Sequence, residues 1–347
     1  MLSARNLSVR GVGAAFVILV FALAPAASRA SAGDIGCGAV LTEDTILNVL
    51  MHCPDGDGLV IGASGITVDM TWGGLYGSGT PGTAGIRNHG FHDVVIKNGE
   101  IENFGDGIVL KGAKRNLLTR LIIEENEHAG LVLAGSHRNR IVSNNLFYNT
   151  IVLRGSHGNR ITDNDVEGIG DGRSGLCGWP PRDCAESAAI ALYGSRGNRI
   201  QANDASASFY GYALFDSSDR NALFGNKTDA AGEGWNFIGI AVFDSDRTLI
   251  RRNDVSGVFD DGIFIARKSR WTSIERNTGN RYFAYPDWTH RGDGIDVDDP
   301  HTFIARNSAN GNGDLGIEAV KGSRDGGGNK ASGNGNPRQC IGVSCLP

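Results

Sequence analysis

Short runs of alternating apolar residues recur along the chain, most of them opening on Gly-Ile-x-Leu or a close variant. They read "GIVL" from Gly107, "GLVL" from Gly130, "AIAL" from Ala189, "GIAV" from Gly239, "GIFI" from Gly262 and "GIDV" from Gly294. Period-two alternation predicts strands whose first and third apolar residues, such as Ile108 and Leu110, share one face. After each strand comes a second signature, Asn-x-Ile-x-x-Asn: "NRIVSN" from Asn139, "NRITDN" from Asn159, "NRIQAN" from Asn198 and, with Leu, "NALFGN" from Asn221. Thr replaces the first Asn at Thr248, Thr272 and Thr302, and degenerate copies sit at Asp93/Asn98, Asn116/Leu121 and Asn329/Asn334. The spacing starts at 20–23 residues and grows where loops intervene.

A unit this short, built on strands, predicts a solenoid. Leucine-rich repeats need several Leu at fixed spacing, which this chain lacks. The expected fold is all-β: a single-stranded parallel β-helix of about ten or eleven coils, stacked at ~4.8 Å. Ile and Leu fill its interior, and Asn at the bends hydrogen-bonds from coil to coil. An open solenoid end exposes apolar interior and must be covered. "LTEDTILNVLMHCP" (residues 41–54) predicts a short N-terminal capping helix. Thr42 or Asp44 would be its N-cap, and Ile46, Leu47 and Leu50 would share one face.

Composition adds the compartment. Arg5 and Arg10 precede an apolar run over residues 11–24, followed by Pro25 and small residues. That predicts a signal peptide over residues 1–30, a cap and first coil over 31–75, and the β-helix with its C-terminal cap over 76–347. The expected product is secreted or periplasmic and has no membrane span. The whole chain carries a formal charge of −5, and loss of the three arginines in residues 1–30 leaves about −8. Such an acidic surface argues against nucleic acid as a partner. Six cysteines fall into close pairs, Cys37/Cys53, Cys177/Cys184 and Cys340/Cys345. An oxidising compartment favours three local disulfides over metal ligation.

The coil pattern, the capping segment and "DGIVL…RNLL" resemble secreted right-handed parallel β-helix proteins of the pectate-lyase-like superfamily, over roughly residues 37–347. The branch it is most similar to includes the copper-maturation accessory proteins of nitrous oxide reductase and the alginate C5-epimerases. The resemblance implies a right-handed coil and polysaccharide as partner. It leaves open lyase, epimerase, hydrolase and non-catalytic binding roles.

Candidate chemistry gathers in residues 291–321. Three insertions, Gly168–Ser187, Asp229–Phe237 and Gly279–Asp293, break the repeat at one phase and predict loops along one edge. If Ile295 and Val297 point in, Asp296 and Asp298 point out, and Glu318 does so one coil later. Asp296 and Glu318 are then expected roughly 5 Å apart. Such a pair can do acid–base work, and Asp296, Asp298 and Glu318 could hold calcium. Trp235, Tyr285, Trp288 and His290 supply aromatic edges for sugar rings, with Lys321 and Arg267 as cations for a uronate. Asp299-Pro300-His301 resembles the Asp-Pro-His-Asp motif of alginate C5-epimerases, with Thr302 in the fourth position. On that resemblance His301 would take the C5 proton, with Asp299 beside it and Arg291 neutralising the substrate carboxylate. The same residues also align with "AGSHRN" and "RGSHGN", the bends of other coils. The hydrolase branch is echoed only by "FDDG" (259–262) and "GDGID" (292–296). Beyond Met1 only Met51 and Met70 are present, too few soft ligands for copper handling. The expected function is therefore a uronate lyase or C5-epimerase acting as a monomer. The alternatives are a glycan- or surface-binding β-helix and, less favoured, a metal-handling factor.

Overall fold

The computed structural model describes residues 35–168, 188–228, 236–280 and 292–347. Every strand pairing in it is parallel, and no helix occurs among the described residues. A front sheet of thirteen strands runs from Ala39–Leu41 to Cys340–Ile341. Thirteen rungs make about twelve turns, one or two more than the repeats predict, because the first coils lack the Asn signature. A second ladder carries the Ile of each Asn-x-Ile-x-x-Asn, pairing Ile141 with Ile161, Ile161 with Ile200 and Ile200 with Leu223. A third ladder closes the cross-section. The long strands Val95–Glu102 and Leu117–Glu124 run through the corner and belong to both.

The period-two expectation holds in the front sheet. Ile108 and Leu110, Ile190 and Leu192, Ile240 and Val242, and Ile295 and Val297 are all fully buried. The two Asn of each signature occupy the two corners that flank the second ladder. Asn139 donates from Nδ2 to Asn159 Oδ1 (3.1 Å), Asn159 to Asn198 (3.1 Å) and Asn198 to Asn221 (3.1 Å). At the other corner a chain runs from Asn144 through Asn164, Asn203, Asn226, Asn253, Asn277 and Asn307 to Asn329. Each Oδ1 also accepts a backbone N–H of the preceding coil, as Asn203 does from Asn164 (3.0 Å). The residue before each Asn sits at positive φ, as Arg138 (57°), Ser143 (55°) and Arg276 (57°) do. These left-handed corners turn the chain at a cost of ~1–2 kcal/mol each, offset by bonds made inside the protein.

The capping helix does not form. Thr45–Ile46 and Leu50–His52 are strands, paired with Thr67–Asp69 and Gly74–Tyr76. Of the three residues assigned to one helix face, only Leu47 is buried, while Ile46 and Leu50 are exposed. Asp44 caps the next coil instead, its Oδ1 accepting Thr67 N–H at 2.8 Å. Pairing with the next coil gives the backbone partners over Thr45–Ile46 and Leu50–His52 without the nucleation cost of an isolated short helix. The Cys37–Cys53 and Cys340–Cys345 disulfides form at the two ends of the solenoid. Cys177 and Cys184 lie outside the described residues. No helix among the described residues is long and apolar enough to cross a membrane.

Asn203→Ala would leave buried partners in two coils without a bond, among them Asn164 N–H and the Ile161 carbonyl. At ~1–3 kcal/mol per orphaned group, the expected loss is about 3 kcal/mol. Asn145→Ala, on the exposed side of its strand, should stay within about 0.5 kcal/mol. Thermal melts of both variants check this; equal melting temperatures would count against it.

Candidate functional site

The strands Ile263–Ile265, Ile295–Val297 and Ile317–Ala319 are consecutive rungs of the front sheet. Their register sets Phe264 opposite Asp296 and Asp296 opposite Glu318. The flanking Ile and Val are fully buried, so this middle row faces outward. Followed along the sheet, the same row reads Val109, Val132, Val152, Ala191, Ala213, Ala241 and Phe264 before it turns acidic.

A third acid joins the pair. Gly294 precedes Ile295, and a Cβ on it would meet Ala309, Asn312 and the Gly316 carbonyl at 2.6–2.7 Å. Gly294 and Ile295 therefore both lean inward, the alternation breaks, and Asp293 swings to the outer surface. Carboxyl oxygens of Asp293, Asp296 and Glu318 all lie within 4.8 Å of one another. Gly262 and Gly316 are equally crowded, which is why the strand signature opens on glycine. Asp261, in the "FDDG" stretch, occupies the Asp293 position one coil earlier. Its Oδ1 accepts Asp293 N–H at 2.8 Å, and Asp293 Oδ1 accepts Leu315 N–H at 2.7 Å.

Burial pushes these acids up. Asp261 rises to about 8, chiefly by burial and then by the charge of Asp260. Asp293 also rises to about 8 by burial, against the pull of the Leu315 N–H, with Asp296 and Glu318 adding to the rise. Asp296 rises to about 7 by burial, then through Asp298 and Glu318. Oxygens this close fit one calcium ion, whose ligands at ~2.3–2.6 Å can stand up to about 5 Å apart. Asp293 takes the place in that group that the alternation assigned to Asp298.

His301 belongs to another neighbourhood. It lies on the bend after Asp298, its Nδ1 is 3.4 Å from Asp299 Oδ1, and its ring packs on Trp271 at 5.2 Å. Asp299 is buried, and its two oxygens accept the backbone N–H groups of His301 (2.9 Å) and Lys268 (3.0 Å). Arg267 and Lys321 are exposed on the bends after their strands. Trp235, Tyr285, Trp288, His290 and Arg291 lie outside the described residues. The anchors of the three insertions are described. Each leaves from the third-ladder side and re-enters at the start of a front-sheet strand: at Ala188–Tyr193, ahead of Ile238–Val242 and ahead of Ile295–Val297.

The alternation puts Phe243 and Phe264 outward, but sequence reasoning missed the aromatic wall that they build with Tyr193 and Phe215 beside the acids. Tyr193 stacks on Phe215 (4.9 Å), Phe215 on Phe243 (5.2 Å), and Phe243 packs on Phe264 (5.7 Å). All four lie on the outer side of the front sheet, one coil apart. Lining up the coils by their Gly-Ile signature puts Tyr193, Phe215 and Phe243 in one column, with Phe264 two residues earlier, in the row that continues to Asp296.

A sequence profile of the right-handed beta helix region matches residues 42–204 and 182–335. The chain belongs to the right-handed β-helix family. No curated protein matches this β-helix in sequence. Among solved structures it is similar to the Dettilon tailspike protein, with 18% identity and a TM-score of 0.62, covering 86% of this chain and 61% of that one. It is similar also to the catalytic domain of a GH87 alpha-1,3-glucanase in complex with tetrasaccharides (14%, TM-score 0.56, 92% and 62%). A third is PfbA, a surface adhesin of Streptococcus pneumoniae (9%, TM-score 0.54, 85% and 81%). At these identities the likeness is one of fold. The β-helix spans about three fifths of the length of the first two.

The raised acids fix a pH dependence. Asp261 and Asp293 at about 8 and Asp296 at about 7 hold protons in the fold that the unfolded chain releases near pH 4. Their contribution to stability is full below about pH 4 and is lost as pH rises to about 8. The melting temperature should therefore fall between pH 5 and pH 8, with a shallower slope in Asp293→Asn. Calcium added at pH 8 should recover part of the loss. Equal slopes for the variant and the parent would contradict this assignment.

Proposed function

We propose that this β-helix acts on polysaccharide, with Asp293, Asp296 and Glu318 as its acid–base group. The observation that carries the reading is the register that sets Asp296 opposite Glu318, with Asp293 turned onto them by Gly294. The reaction this arrangement suits best is glycoside hydrolysis. Asp296, at about 7, holds a proton near neutral pH for the leaving oxygen, and Glu318 is the second carboxyl group. Oxygens within 4.8 Å suit the ~5–5.5 Å separation of retaining chemistry better than the ~6.5–9.5 Å of inverting chemistry. Asp261 adds a further buried acid from the preceding coil. The tetrasaccharide-bound glucanase among the structural neighbours supports the substrate class. The signal peptide expected over residues 1–30 and the Cys37–Cys53 and Cys340–Cys345 disulfides support action outside the cytoplasm.

A second reading keeps uronate lyase or C5-epimerase chemistry at His301. Its support is the contact of His301 with Asp299 at 3.4 Å and the exposed Lys321 and Arg267 on neighbouring bends. The two reactions leave different products. On a panel of neutral and uronate polysaccharides, new reducing ends without an unsaturated, ultraviolet-absorbing product are expected. Asp296→Asn should lower turnover by about 10²–10⁴-fold, while His301→Ala stays within a few-fold. Unsaturated product lost in His301→Ala would move the chemistry to the bend. Binding without any product would leave a glycan-binding β-helix.

A further inference from the structure

A second concavity lies at the other end of the solenoid, on the third ladder. The register there places Leu50, Gly74, Glu100 and Ile122 in one outward row, backed by the buried Leu75 and Ile101. Gly74 is covered by its neighbours: a Cβ on it would meet the Tyr76 ring at 2.9 Å and Leu50 at 3.4 Å. The corner beside this row is enlarged. Residues 70–73 join Asp69 to Gly74, whereas only Asn98 and Gly99 join Lys97 to Glu100 in the next coil. The longer connection lifts Trp72 clear of the wall.

Trp72 is 91% exposed and sits at φ 67°. Each feature is unfavourable: a bulky residue in the left-handed region is strained, and a bare indole forgoes burial. It makes no ring contact or hydrogen bond with other described residues. Around it opens a groove of about 610 Å³, lined by Leu50, Thr71, Trp72, Asn98, Glu100 and Arg120. Two of the polar side chains are already oriented. Asn98 Nδ2 donates to Asp69 Oδ1 at 2.9 Å, and Tyr76 donates its hydroxyl to Glu100 Oε2 at 2.6 Å. Asn98 Oδ1 and Glu100 Oε1 make no hydrogen bond with described residues, and Arg120 makes no salt bridge with them.

We propose that this groove is a second glycan-binding subsite, remote from the acid group. The Trp72 indole stacks on the apolar face of a pyranose ring, while Asn98, Glu100 and Arg120 bond its hydroxyls. An aromatic platform ringed by oriented planar polar groups suits a ring with one apolar face and an equatorial belt of hydroxyls. The volume lies within the ~300–1,000 Å³ of small-ligand sites, and a protein partner would need a broader surface of ~800 Å². The inference rests on the polysaccharide reading for its ligand class alone and does not require the acids to be catalytic.

Affinity electrophoresis of the mature chain through gels containing a β-glucan, an α-glucan, a galactomannan, an alginate or a pectin tests it. At least one should retard the wild type, and Trp72→Ala should weaken that retardation tenfold or more. Trp72→Gly should lose binding equally, with a melting temperature no lower than wild type, since glycine accepts the backbone angle freely. Turnover of short oligosaccharides should be unchanged in both. Retention by either variant equal to wild type, or no retardation of the wild type by any of the five, overturns the proposal. Retardation that depends on Trp72 without cleavage of any glycan would leave the subsite standing and remove the hydrolytic reading. Cleavage with Trp72-independent retardation would do the reverse.

Discussion

Coils of this protein stack without slipping, and everything else in the structure depends on that. The constraint comes from the corners. A buried Asn bonds the backbone of the coil before it and the Asn of the coil after it, so a shift of one residue would strand several polar groups in an apolar interior. Two such chains flank a column of Ile and Leu. They hold equivalent residues of successive coils about 4.8 Å apart. Where the second chain runs from Asn144 to Asn329, it spans the coils that carry the acids.

Strict stacking turns a sequence column into a surface. Small and branched apolar residues occupy the middle outward row of the front sheet from Val109 to Ala241. Phe264 follows, and then the row becomes Asp296 and Glu318. Two acids set side by side on a mostly apolar wall cannot both ionise cheaply, and a third from Asp293 raises the cost. The fold accepts that cost here and keeps well-satisfied polar chains elsewhere. Such a local departure from stability is where function is expected.

Much of this was legible in the residues. The period-two strands, the structural role of Asn and the outward Asp296 and Glu318 all follow from spacing. Asp293 and Asp261 did not, because strict alternation places them on the wrong side. The missing physical element was the glycine that follows each. Gly294 and Gly262 have no room for a Cβ, so two successive residues lean inward and the acid before them is thrown out. The capping helix failed for a related reason. Ile46, Leu47 and Leu50 fit a helical face, yet a sheet edge one coil away offers the backbone parallel ladder partners. Asp299 shows the opposite case, since its resemblance to a catalytic motif coexists with a carboxylate that accepts two backbone N–H groups.

The most direct test of the account is a carboxyl titration of the protein with ¹³C-labelled aspartate, followed by NMR. The account expects a small set of coupled resonances, assigned through Asp261→Asn, Asp293→Asn and Asp296→Asn, to titrate near pH 7–8, apart from the other aspartates. Glu318→Gln should move the Asp293 and Asp296 midpoints downward. If all aspartates titrate below pH 5 and Glu318→Gln leaves them unmoved, the three carboxyl groups do not meet on the front sheet and the proposed acid–base group does not exist.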